Sequence, residues 1–312
     1  MKLGSLALLI TVSASTPLAG TFVERNTRQV DQQSLPTFRA GVDAIAVDAS
    51  VRRNNRPVTG LTAADFEIVD NGVLQSVTAV SYEKLPIDVT VALDVSASVT
   101  GSVLAQLRQS VQQLASDLHA QDRLELLTFN QRIQRLADFA SPASTTDAAI
   151  ARISATGGSA VFDSLAVALT IPATAARRHL IVLFSDGVDS SSISDPEMLF
   201  ELASRSGSTV AVVLASTNPQ APASVFSRRV PGSITVERLY DRIAKDTGGT
   251  VVPISSADNL ATTFRRVLDN FRASYVLYFT PQGVERAGAH TLDVRVKRGN
   301  VQVRARSGYV WR

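Results

Sequence analysis

The stretch IDVTVALDVSAS, from Ile87 to Ser98, decides how the rest of the chain is read. Val89 to Leu93 is apolar or β-branched, the composition of a strand buried on both faces. The run ends in Asp94, followed at alternate positions by Ser96 and Ser98. In an open α/β sheet, ligands bind in the crevice outside the carboxyl ends of the strands. A strand delivering one carboxylate and two hydroxyls to that edge offers only oxygen. That donor set suits Mg²⁺, Mn²⁺ or Ca²⁺ better than zinc or copper. The same residue types cap helices after strand-to-helix turns, so the string alone leaves both readings open.

Two further segments extend it. Gly157 to Leu165 (GGSAVFDSL) reads as a glycine turn, a hydroxyl at Ser159 and the start of an apolar-periodic helix. His179 to Gly187 (HLIVLFSDG) reads as a second buried strand that ends in Asp186. In this order the elements resemble the metal-ion-dependent adhesion site of von Willebrand factor type A domains, whose pattern is D-x-S-x-S, then Thr, then Asp. Carried over by residue, Asp94, Ser96 and Ser98 match the first element, Ser159 stands where the family usually has Thr, and Asp186 matches the last. Serine keeps the hydroxyl oxygen but loses the methyl that restricts its rotamer. The resemblance implies direct coordination by Ser96 and Ser98, frequent water-mediated coordination by Asp94 and Asp186, and an open position for a Glu or Asp from a protein ligand.

Around these motifs the chain changes character twice. From Phe38 to Tyr82, apolar and polar residues alternate between turn signals: Ile45 to Val51 reads as a half-buried strand, Arg52 to Pro57 as a hairpin-like connection, and Asp70-Asn71-Gly72 as a turn between Phe66–Val69 and Val73–Val80. From Ile87 strands alternate with helices, which predicts a mostly parallel, doubly wound sheet. Strands are predicted at 124–129, 180–184, 209–214 and 251–253. Helices are predicted at 102–119, 145–153, 161–169, 196–204, 236–246 and 257–271. Alternating runs return at 275–279, 291–296 and 301–305, with Arg298-Gly299-Asn300 as a hairpin turn between the last two. The expected architecture is an α/β domain (86–273) inserted in a smaller β module built from both chain ends, 37–85 and 274–312, because domain termini usually lie close together. The β-flanked layout is similar to the VWFA-related domain proteins of acidobacterial genomes, on phrases such as Arg56 to Thr62 (RPVTGLT) and Val303 to Tyr309 (VRARSGY).

Lys2, the apolar run Leu3 to Val12 and the small residues from Ser13 to Ala19 follow signal-peptide grammar. Residues 1–20 are therefore expected to be a signal peptide and 21–36 a linker, in a secreted or periplasmic protein. The apolar run is too short for a comfortable membrane span, and no later segment has the length of one. The chain has no cysteine, which removes disulfides and thiolate metal sites and fits bacterial-type export. A net charge of +3 over 312 residues does not imply nucleic acid.

Other chemistries find little support. His119, His179 and His290 lack zinc-hydrolase spacing and read as surface or helix-end residues, and no nucleophile elbow, Walker A loop or dinucleotide fingerprint is present. Arg295, Lys297, Arg304 and Arg306 form a basic stripe that a solvated outer strand face explains. The expected function is cation-dependent protein interaction or adhesion without catalysis. Its rivals are a metal-dependent hydrolase, for which Asp163 and Asp189 are the nearest candidate bases, and a structural envelope protein with a vestigial, metal-free domain.

Overall fold

Alternating burial in the first strand, β1 (Ile45–Arg53), places Val47, Ala49 and Val51 inside. The chain turns through Asn54 and Asn55, both at positive φ, into β2 (Arg56–Pro57). It continues through β3 (Phe66–Asp70), β4 (Val73–Gln75) and β5 (Val77–Tyr82). The α/β stretch follows as β6 (Ile87–Asp94), α1 (Gly101–Ser116), β7 (Arg123–Phe129), β8 (Ile133–Ala137), α2 (Ala143–Ala151), α3 (Val161–Thr170), β9 (Arg178–Ser185), α4 (Pro196–Arg205), β10 (Thr209–Ala215), α5 (Val236–Thr247), β11 (Thr250–Ile254) and α6 (Leu260–Arg272). Four strands close the chain: β12 (Tyr275–Phe279), β13 (Gly288–Val296), β14 (Gln302–Ala305) and β15 (Gly308–Trp311). This computed structural model describes residues 44–174, 176–215, 235–255 and 259–311, all within one unit, Val42–Arg312. The predicted signal peptide, the linker, the Phe38 end of the first β segment and the Ala257 start of the last helix lie outside the described residues.

The six-stranded sheet runs in the order β11-β10-β9-β6-β7-β8. Its first five strands are parallel and β8 is antiparallel to β7. Every residue of β6 and β9 is buried, because helices cover both faces. Leu107, Val111 and Leu114 of α1 pack with Phe264 and Leu268 of α6 against Val89, Val91 and Leu93. Leu165, Leu199 and Leu239, from α3, α4 and α5, cover the opposite face with Ala92. The starts of α4 and α6 follow capping rules: Asp195 accepts from the Met198 amide ahead of Pro196, and Asn259 accepts from Thr262.

The remaining strands form two smaller sheets. One runs β14-β1-β12-β5 with β2 on β1, the other β15-β13-β3-β4. They enclose a core that includes Val47, Phe66, Ile68, Leu277, Phe279 and Leu292. In each sheet, strands from before the α/β stretch pair directly with strands from after it.

Several expectations are corrected. The predicted hairpin of 291–296 and 301–305 does not form: β13 pairs with β3 and β15, whereas β14 pairs with β1. The connection carrying Asn300 at φ 61° passes from one sheet to the other. Residues 73–80 likewise divide between β4 and β5, which belong to different sheets. Arg306 leaves the basic stripe. It is half-buried, its Nε donates to the Gly308 carbonyl (2.6 Å) and its Nη2 to the Ser204 carbonyl (3.2 Å), and burial pushes its guanidinium below its ordinary value. His179 and His290 are not surface residues, being 2% and 3% exposed. His290 Nδ1 lies 2.8 Å from Asp70 Oδ1, with its ring stacked on Tyr309. His119 is exposed beyond the end of α1, as expected.

His179 gives the fold an acid sensitivity. Its Nε2 lies 2.8 Å from Thr90 Oγ1 and its Nδ1 2.7 Å from Ser208 Oγ, and burial pushes the imidazole down to about 4. The neutral ring is the folded form, so its contribution is complete above the ordinary value of 6.5 and is lost as pH falls through about 4. The loss amounts to about 3 kcal/mol. Urea unfolding from pH 7 to pH 4 should therefore show a steeper decline in the wild type than in His179→Gln. Parallel profiles would refute this.

Candidate metal centre

The two ends of β6 carry two aspartates in opposite circumstances. At the amino end Asp88 receives Arg123 (Nη2 to Oδ2, 2.6 Å) and Arg177 (Nε to Oδ1, 2.6 Å). Burial pulls its carboxyl upward, but these bonds and charges outweigh burial and hold it below the usual carboxylate value. At the carboxyl end Asp94 is fully buried and, among the described residues, meets only neutral donors: the Ser96 amide (2.9 Å to Oδ1), Ser159 Oγ (2.8 Å to Oδ2) and Ser185 Oγ (2.7 Å to Oδ2). Desolvation wins there and pushes the carboxyl above its ordinary value. A buried carboxylate without a cationic partner is costly.

Three loops converge on it. The parallel register pairs Leu93 with Phe184, so Ser185 comes beside Asp94 at the sheet edge. The loop after β6 is tied to the glycine loop by Thr156 N to Val95 O (2.8 Å) and Ala97 N to Gly157 O (2.9 Å). Gly158 has no room for a side chain: a Cβ there would lie 2.6 Å from Ser191 Oγ and 2.9 Å from Ser190 Oγ. That tight fit seats Ser159, whose carbonyl accepts from the Ser190 (2.9 Å) and Ser191 (3.0 Å) amides.

Four of the five predicted residues form one hydrogen-bonded chain, with Ser159 and Ser96 on Asp94 and Ser98 Oγ 3.0 Å from Ser96 Oγ. Asp186 follows Ser185 on the same edge, is half-buried, and accepts from the Val188 amide (3.0 Å). Sequence reasoning passed over Ser185, whose only signal is its place beside Asp186. It also passed over Tyr240, fully buried on α5, whose hydroxyl has no partner among the described residues. Burial, with the nearby charges of Asp189, Asp94 and Asp186, pushes that hydroxyl well above its ordinary value.

The donor set of two carboxylates and three hydroxyls fits a hard divalent cation. Among the described residues no three His, Cys, Asp or Glu side chains group into a metal cluster of another kind. Asp163 and Asp189 have other work. Asp189 accepts from the Phe162 amide (3.0 Å), and Asp163 from the amides of Ile193 (3.1 Å) and Ser194 (2.8 Å). These bonds hold up a loop whose Ile193 is 96% exposed.

The oxygen donors gather at the carboxyl ends of the central strands of a doubly wound sheet, the edge at which α/β domains of this class bind ligands. A family model for the von Willebrand factor type A domain matches residues 88–266, and the chain belongs to that family. No curated protein matches it. Solved structures similar to it include BatB from Bacteroides thetaiotaomicron (18% identity, 59% of this chain and 98% of that chain, TM-score 0.46). Another is a von Willebrand factor type A protein from Catenulispora acidiphila (14%, 88% and 75%, 0.46). A third is proximal thread matrix protein 1 of the mussel byssus, with a zinc-occupied MIDAS motif (13%, 64% and 48%, 0.46). Among the described residues no helix is long and apolar enough to cross a membrane.

Proposed function

We propose that the protein is an exported, non-enzymatic interaction protein that binds a protein partner through a divalent cation, Mg²⁺ or else Mn²⁺ or Ca²⁺, held by Asp94, Ser96, Ser98, Ser159 and Asp186. The observation that carries this reading is Asp94, a fully buried carboxylate whose partners among the described residues are all neutral, beside two serine hydroxyls. The ion supplies an electrophilic centre for an acidic side chain of the partner. Asp94 and Asp186 contribute charge, while Ser159 and Ser185 orient the Asp94 carboxylate. Ile193, exposed on a loop that Asp163 holds in place, offers the partner an apolar contact. Because Asp163 and Asp189 are both engaged with backbone amides, the carboxylates a hydrolytic rival needs as its base are committed elsewhere. The same reading treats 86–273 as a domain inserted in a β module of 37–85 and 274–312, supported by the pairing of β1 with β12 and β14.

One experiment tests export and binding together. Protein recovered from the periplasm or medium should begin between about Thr16 and Glu24, as small-residue cleavage requires. Immobilised, it should retain envelope proteins in Mg²⁺ and release them in chelator, and Ser96→Ala should retain far less. An intact Met1 on the recovered protein would exclude export. Retention indifferent to both chelator and Ser96→Ala would favour a vestigial domain.

A further inference from the structure

A cleft of about 550 Å³ opens beside the metal loop, between the β7–β8 turn, β8 and the carboxyl end of α2. Val95 and Thr156 are among its lining residues, and Val95 stands between Asp94 and Ser96 in the chain, so the cleft borders the loop that carries the candidate metal residues. Among the described residues its lining includes Arg132, Arg135 and Arg152 and no Asp or Glu. Arg135 is partly neutralised, its Nε 2.9 Å from Oε1 of the buried Glu125. Arg132 and Arg152 are exposed, and among the described residues neither guanidinium has a partner. Asn130, Gln131 and Thr156 add neutral polar groups to the same walls.

We propose that this cleft is the second half of the binding surface and takes an acidic side chain from the same peptide segment that presents a carboxylate at the Asp94 edge. The proposal rests on the reading above and adds the partner's chemistry: a segment with at least two acidic residues. A single acidic residue would satisfy the metal and leave two cations unanswered. Guanidinium groups pair with carboxylates through two parallel hydrogen bonds, and two unpaired ones in a polar cleft supply that geometry. A phosphate hole instead gathers backbone amides at a nest or helix amino end. Here no helix amino end faces the cleft among the lining residues, and the positive charge comes from separate side chains. The volume suits a stretch of peptide.

The test uses the full chain and fluorescein-labelled hexaglutamate, compared with a hexapeptide of one Glu among Gln, by anisotropy in Mg²⁺ and in chelator. Hexaglutamate should bind more tightly than the single-Glu peptide. The double variant Arg132→Gln/Arg152→Gln should weaken hexaglutamate about tenfold, the sum of two exposed charge pairs. Arg53→Gln/Arg56→Gln, which removes the same charge from the β module, should leave it unchanged. In chelator the arginine-dependent part should persist. If Mg²⁺ has no effect but the arginine dependence stays, the metal reading fails and the cleft stands. If Mg²⁺ dependence appears without arginine dependence, or both double variants lose equally, the cleft assignment is overturned. Stronger competition by tripolyphosphate or a sulfated heparin oligosaccharide than by unlabelled hexaglutamate would overturn the peptide assignment.

Discussion

Asp94→Ala is expected to lower affinity for Mg²⁺ and Mn²⁺ on the order of 100-fold or more, while the metal-free protein stays folded with a midpoint equal to or above that of the wild type. A hard cation loses a carboxylate from its surroundings, and that carboxylate also organises Ser96, Ser159 and Ser185. Without metal the balance reverses, because the variant no longer buries a negative charge among neutral partners. Ser159→Ala removes only a neutral hydroxyl and should cost about tenfold or less. Calorimetry gives the affinities and thermal unfolding gives a second readout. At a metal concentration about 100 times the wild-type dissociation constant, the wild type should gain about 2.7 kcal/mol and Asp94→Ala about 0.4 kcal/mol or less. If both proteins take up metal alike, or neither does, the assignment of these residues is wrong.

Arg178→Ala should be the most destabilising single change outside the apolar cores, at about 3–5 kcal/mol. Arg178 opens β9 with a side chain 3% exposed. Its Nε donates to Asp48 Oδ1 of β1 (2.6 Å), its Nη2 to Ser274 Oγ (2.5 Å), and its guanidinium lies 3.9 Å over the Phe271 ring. It therefore ties the central sheet to the strand that opens the β module. Removing it leaves Asp48 without its cation. Asp48→Asn should be milder, because that side chain keeps some solvent. In a double-mutant cycle the two changes should be non-additive by more than about 1 kcal/mol. Additive effects below that value would mean the joint carries no energy. The segment 37–85 alone should show no cooperative transition, because its strands lack their partners.

Which parts of this molecule were legible in the sequence follows from the range over which each signal acts. Asp94, Ser96 and Ser98 could be read because one strand and its own turn place them, and the buried runs of β6 and β9 announced a sheet covered on both faces. Ser185 could not, since its contact with Asp94 depends on how two strands align. Strand β8 escaped because only Ala137 of its five residues is buried, which leaves an edge strand with little apolar pattern. The false hairpin had sound turn chemistry at Asn300, but two facing sheets accept the same alternation as one hairpin, and the change of sheet leaves no local mark. His179 and His290 look like any polar residue in sequence. Their burial is tolerated because Thr90, Ser208 and Asp70 meet them from elsewhere in the chain.

The place of β1 between β12 and β14 also sets a timetable. Ile45 pairs with Phe279, so β1, apart from its short pairing with β2, must wait until roughly 230 further residues exist before its backbone finds its partners. At about 5–20 residues per second that delay is roughly ten to fifty seconds. Val47, Ala49 and Val51 spend it without their neighbours from β12 and β13, and a chain crossing a membrane amino end first would meet the same queue on the far side. The β module is thus the last part of the molecule to exist, and a chain cut short before β12 leaves a β1 with nowhere to go.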